Sequence, residues 1–191
     1  MVATPIDIDV GPAQLLTGAR DVLRDDTNGL AAQVSAYNTA ITARGWTWTL
    51  TAPADADIQI GERLQDYPDR PTVRITARQG KGDDYKATIG LTDHAQVLTV
   101  QIWLVEQADA STASDELDPA DIQRRAHAMI DCVRAVWEHD LTSLDGVYHV
   151  EFQGGDVLKA VRRRDSTITL ITEASLTVRV RQRVRSSFGV G

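Results

Sequence analysis

The chain has a single cysteine, Cys132, so no disulfide can close within it. No apolar run approaches the 18 or so residues that a membrane-spanning helix needs. Met1–Asp7 lacks a basic segment followed by an apolar one, so no secretory leader is read there. These absences lead to the expectation of a soluble protein of an intracellular compartment, with no membrane partner. Motifs that carry chemistry are missing as well. There is no G-x-S-x-G elbow, no G-x-x-x-x-G-K-[ST] phosphate loop, no H-E-x-x-H and no cysteine pair for zinc. Gly80-Lys81-Gly82 lacks the strand–loop–helix setting of a phosphate cradle and reads as a turn. His127 and His139 fall 12 residues apart on one expected helix, more than three turns, too far to share a metal. Cys132 shares the apolar side of that helix with Met129 and Val136 and is expected to be a buried, inert thiol. Asp25-Asp26 and Asp83-Asp84 fall in turn-like stretches, where neighbouring carboxylates are solvated. No catalytic residue, cofactor or metal is assigned, and the chain is not read as an enzyme.

What the chain does have is a long alternation near its C-terminus. From Ile168 to Val184 every even position is apolar except Thr172 and Gln182, and the odd positions are almost all polar. This predicts one strand over Thr167–Arg185 with one face on a core. At about 3.3 Å per residue such a strand spans roughly 60 Å, more than a compact body of this size needs. Either it bends at a bulge or its end, 177–191, projects from a single domain covering 1–191. Residues 161–191 carry seven arginines against Asp165 and Glu173, a balance of +5 that leaves −12 on the rest of the chain. Arg179, Arg181, Arg183 and Arg185 share one strand face, a stripe roughly 20 Å long. Like charges in line need acidic partners or water. Carboxylates of an adjacent subunit suit them better than DNA, because the body is acidic and no base-stacking aromatics are interleaved.

Elsewhere the pattern is mixed. Gly11–Arg44 reads as helix with a break at Asp25–Gly29, and Gly45 ends it. Trp46, Trp48 and Leu50 alternate with threonines and predict a short strand. Ile58–Glu62 is a short extended piece, and Thr72–Ala77 a strand leading into a polar hairpin loop at Gln79–Tyr85. Val97–Glu106 is apolar on both faces, as befits a central strand. Asp118-Pro119 opens a helix that runs to about His139. Tyr148, Val150 and Phe152 mark a strand, Gly154-Gly155-Asp156 a hairpin turn, and Val157–Val161 its return. Arg162–Asp165 then turns into the final strand. The fold class expected is α+β, a mainly antiparallel sheet with helices packed on one face.

From about Gly11 to Arg185 this layout resembles the tail-terminator (tail-completion) proteins of long-tailed bacteriophages. The resemblance is carried by a helix (Gln14–Arg44), an extended segment (Ala52–Glu62, with Ile58-Gln59-Ile60-Gly61-Glu62 closest) and a proline-led strand (Arg70–Ile75). It continues through Leu98–Val105, the helix Pro119–His139 and the final alternating strand. It implies a structural virion protein, assembled in the host cytoplasm, that forms a ring, commonly hexameric. Such a ring caps the tail tube, meets the tube protein and a head-closure or neck protein, and leaves room for genomic DNA to pass without sequence-specific contact. The expected interface residues are Arg179, Arg181, Arg183 and Arg185 with Lys81, Asp83 and Asp84 of the polar loop, within a contact stretch of Gln79–His94. The alternatives are a head-closure or neck adaptor of the same junction, a nucleic-acid binder using the arginine strand, and a small enzyme or ligand-binding domain with a composite site.

Overall fold

The computed structural model describes residues 12–61, 68–79, 87–88, 91–109, 119–144, 146–164 and 167–185. Among these residues three helices, α1 (Pro12–Leu23), α2 (Leu30–Ala43) and α3 (Pro119–Asp140), accompany six strands. These are β1 (Ile58–Ile60), β2 (Thr72–Gln79), β3 (Ala87–Thr88), β4 (Leu91–Asp109), β5 (Val147–Arg164) and β6 (Thr167–Arg185). The sheet order is β1-β2-β4-β6-β5, with β3 paired to β4. Only β1 and β2 run parallel. The fold is therefore α+β, with a mainly antiparallel sheet.

The break between α1 and α2 is built by local chemistry. The Asp25 carboxylate accepts the N–H groups of Thr27 and Asn28 at 2.9 and 2.6 Å, an Asx turn that competes with helix continuation. Gly29 then closes the turn, where a Cβ would sit 2.3 Å from the Asp25 carbonyl oxygen. Arg24 reaches from the end of α1 to the Ile58 carbonyl and ties the helix to β1. Arg70 binds the buried Asp57 carboxylate at 2.9 Å, holding the short turn Asp55–Asp57 against the start of β2.

One face of the sheet carries the core. Leu98, Val100, Ile102 and Leu104 of β4 and Ala174, Leu176, Val178 and Val180 of β6 cluster with Leu15, Leu30, Met129, Val133 and Trp137 of the helices. Register puts Leu98 beside Val178, Val100 beside Leu176 and Ile102 beside Ala174, so the alternation of β6 becomes one continuous apolar row. As both faces of Val97–Glu106 suggest, β4 is the middle strand of the five on the main path. The opposite face is mostly polar. Its rows run Thr72–Trp103–Glu173, Arg74–Gln101–Ser175–Asp156 and Arg78–Val97–Arg179–Glu151. Gln101 donates to the Glu173 carboxylate at 3.2 Å on that face.

Several expectations are corrected. The Trp46–Leu50 segment has no sheet pairing, because Asn38 of α2 takes both backbone groups of Leu50: its amide donates to the Leu50 carbonyl at 2.9 Å and its carbonyl accepts the Leu50 N–H at 2.8 Å. Gly154-Gly155-Asp156 is not a hairpin. It is a bulge inside one 18-residue strand, β5, where Phe152 opposes Val178 and Gly155 opposes Leu176. Val157–Val161 accordingly continues β5 instead of returning. The final strand matches Thr167–Arg185, yet through residue 185 it is no lone arm: it is paired with β4 along its whole length. The bulges lie in its neighbour β5. The central strand also begins earlier than the apolar run shows, at Leu91, so the end of the expected Gln79–His94 loop is strand.

Candidate functional site

The arginine series is positioned by the two strands that flank β6. Arg179 stands opposite Val97 on β4 and Glu151 on β5; Arg181 stands opposite Ala95 and His149. Arg183 is opposite Asp93, and Arg185 is opposite Leu91. Arg179, Arg181 and Arg183 therefore lie on the polar face of the sheet, away from the helices, as the alternation requires. A carboxylate residue of the same chain, Glu151, sits at the flank of this stripe, opposite Arg179. Arg179, Arg181 and Arg183 each have a partner within the chain.

Burial grades along the stripe. Arg179 and Arg181 are half-buried, whereas Arg183 is exposed and lies over the Tyr148 ring, 5.3 Å from its centroid. Tyr148 reaches that position because of a bulge between Val147 and His149, which turns it to solvent although Val150 and Phe152 are half-buried against the core. Gly146 sets up the bulge: with φ at +74° it brings its carbonyl to the Arg183 N–H at 2.8 Å. A Cβ there would lie 2.4 Å from the Arg183 carbonyl oxygen. The residues missed by sequence reasoning, Tyr148, His149 and Glu151, could be assigned only once the register of β5 on β6 was known.

Lys81, Asp83 and Asp84, the other expected interface residues, lie outside the described residues. His127 and His139 are exposed on α3, and His149 is exposed on β5. Among the described residues no three of His, Cys, Asp and Glu come together in a way that could hold a metal. No described helix is long and apolar enough to cross a membrane.

Cys132 is buried on α3, and burial first and the Asp131 carboxylate second push its thiol from 9.0 to about 12. A thiol so raised holds almost no thiolate near neutrality, so it is a poor nucleophile. The same shift makes stability depend on pH. Below about pH 9 the thiol is protonated folded and unfolded, and its contribution is fully present. Between about 9 and 12 only the unfolded chain loses the proton, so stability falls by about 1.4 kcal/mol per pH unit. Urea midpoints measured from pH 8 to 10.5 are expected to drop more steeply for the natural chain than for Cys132→Ala. Parallel curves would assign the thiol an ordinary value.

Compared with protein-family models and with curated proteins, the sequence matches none.

Proposed function

We propose that the chain is a ring-forming structural subunit of a phage-like head–tail junction, acting as the tail terminator. The observation that carries this reading is the shape of the sheet. Strands β4, β5 and β6 run 18 or 19 residues, about 60 Å, whereas a compact chain of this length is about 42 Å across. A ribbon longer than the body it belongs to is suited to reaching a neighbour. On the main path β5 is an outer strand that among the described residues pairs with β6 alone, so its other side presents backbone groups that an assembly can use. The two ends of the ribbon differ: Arg183 and Tyr148 mark one, while the pair Arg164 and Thr167 marks the other. Unlike ends favour head-to-tail contacts, which close into rings. The fold class and element order expected from the tail-terminator resemblance add support. In such a ring function is geometry: one rim stops growth of the tail tube and the other receives the neck.

Electron microscopy of particles assembled with and without the chain tests the reading. Overlong or headless tails in its absence are expected. Normal tails beside emptied heads would reassign it to head closure, and unchanged particles would reject both. At the level of residues, the half-buried Arg181 is a poor probe because reversing its charge would disturb the sheet itself. Arg183 is exposed, so Arg183→Glu is expected to abolish ring formation while lowering unfolding free energy by no more than about 1 kcal/mol, the worth of its contact with Tyr148. Rings of normal mass from that variant in light scattering would remove Arg183 from the interface.

A further inference from the structure

The helix α2 ends in a Schellman turn that has a second consequence. Gly45 takes φ +75°, its N–H donates to the Thr42 carbonyl at 2.9 Å, and the Trp46 N–H donates back to Ile41 at 3.2 Å. The turn holds Trp46 at the mouth of a groove between α2 and α3, where it remains 47% exposed. Trp48 lies beneath it, buried, with ring centroids 5.7 Å apart and planes 24° from parallel. Tyr37 meets Trp48 at 6.4 Å and 42°. The facing wall is one stripe of α3 that includes the small Ala128 and the side chains of His127 and Asp131. The open groove offers a volume of about 510 Å³.

The chemistry of this groove is specific. The Asp131 carboxylate makes no hydrogen bond or ion pair among the described residues, whereas Arg124 on the same wall is already paired with Asp121 at 2.7 Å. The indole faces attract cations, and the chain's own Arg44 guanidinium lies 5.8 Å from the Trp46 centroid. A guanidinium answers both features at once, since its flat face stacks on indole and its N–H fork fits a carboxylate. Lysine has no flat face to stack. A nucleotide would bring its phosphate toward Asp121 and Asp131.

The direction of α3 says where such an arginine comes from. The salt bridge of Arg125 to Glu106, 2.7 Å, places the first half of α3 near the Leu170 end of β6. After α3 ends, the chain enters β5 with Val147 opposite Gln182. The groove thus runs from the Leu170 end of β6 to its middle, where Ile130 lies over Gly155 opposite Leu176, and stops short of the basic end. A groove whose Asp131 carboxylate has no ion pair among the described residues, and an arginine-bearing strand end displaced from it along the ribbon, are complementary in a head-to-tail contact between copies. We infer that the groove formed by Tyr37, Trp46, Trp48 and Asp131 is a guanidinium pocket that receives an arginine from the Arg183–Arg185 end of a second copy of this chain. The identity of the occupant rests on the ring reading above; the pocket chemistry does not.

The test uses the full chain and a synthetic peptide of residues 179–191. Calorimetry is expected to show saturable binding to the natural chain, weakened at least tenfold by Asp131→Asn, by Trp46→Ala, or by lysine in place of every peptide arginine. Both side chains are exposed, and circular dichroism checks that the variants remain folded. Light scattering is expected to show that the same two substitutions shift the assembled chain toward monomer. Equal peptide binding by all variants, or none by the natural chain, overturns the pocket. Normal assembly of both variants also overturns it while leaving the ring standing. A natural chain that stays monomeric yet binds the peptide through Asp131 overturns the ring and the second-copy occupant.

Discussion

Replacing Trp137 by alanine is expected to lower the unfolding free energy by about 3–5 kcal/mol. Trp137 is completely buried on α3, and its indole N–H donates to the Ala19 carbonyl of α1 at 3.1 Å. Two losses therefore add. Removing the ring leaves a cavity in the helix layer beside Leu15, Ala19 and Met129, and it also removes the interhelical hydrogen bond to the Ala19 carbonyl. Trp137→Phe separates them, because it keeps most of the volume and loses only the donor; about 1–3 kcal/mol is expected. For a chain of this length each kcal/mol shifts the midpoint of thermal unfolding by roughly 2–4 °C. Urea unfolding followed by circular dichroism decides the matter. A cost below about 1 kcal/mol for the alanine variant would show that α1 does not depend on this contact.

The second large effect is expected at Gly155. It sits in the β5 bulge, where an added Cβ would lie 2.2 Å from the Ser175 carbonyl oxygen and 3.4 Å from the Ile130 side chain of α3. Neither the β6 backbone nor the helix above can give way cheaply. Gly155→Val is therefore expected to cost about 3 kcal/mol or more and to lift β5 from β6 around Phe152–Val157. Gly154, its neighbour, fails for a different reason. It has open space around it but a φ of +104°, so Gly154→Ala is expected to cost about 1 kcal/mol through backbone strain alone. Amide exchange resolves the two. Fast exchange across the β5–β6 ladder is expected for Gly155→Val and not for Gly154→Ala, and protection retained in both would show that the bulge tolerates a side chain. Freeing β5 would also expose an edge of β6, so the valine variant is expected to aggregate.

The element order was legible where a signal is local. Pro119 opens α3, Asp25 interrupts the first helical stretch, Gly45 caps α2, and period-two spacing alone delimits β6 from Thr167 to Arg185. Each of these follows from one residue's dihedral preference or from a periodicity that any flanking strand would satisfy. Two regions were not legible for one shared reason. Trp46–Leu50 alternates like a strand, yet the hydrogen-bonding groups of Leu50 go to a side chain twelve residues earlier. Gly154-Gly155-Asp156 has the chemistry of a turn, yet the chain runs on because β6 still offers partners beyond it.

The candidate site divides in the same way. Alternation alone put Arg179, Arg181, Arg183 and Arg185 on one face. That Glu151 faces Arg179, that Tyr148 lies under Arg183, and that Tyr37, Trp46 and Trp48 share a groove with Asp131 depended on bulges and packing between distant segments. A sequence by itself determines the faces of its helices and strands, because side-chain direction repeats with the backbone. Which faces meet, and in what register, is decided only when strands far apart in the chain compete for the same hydrogen bonds and the same apolar surface.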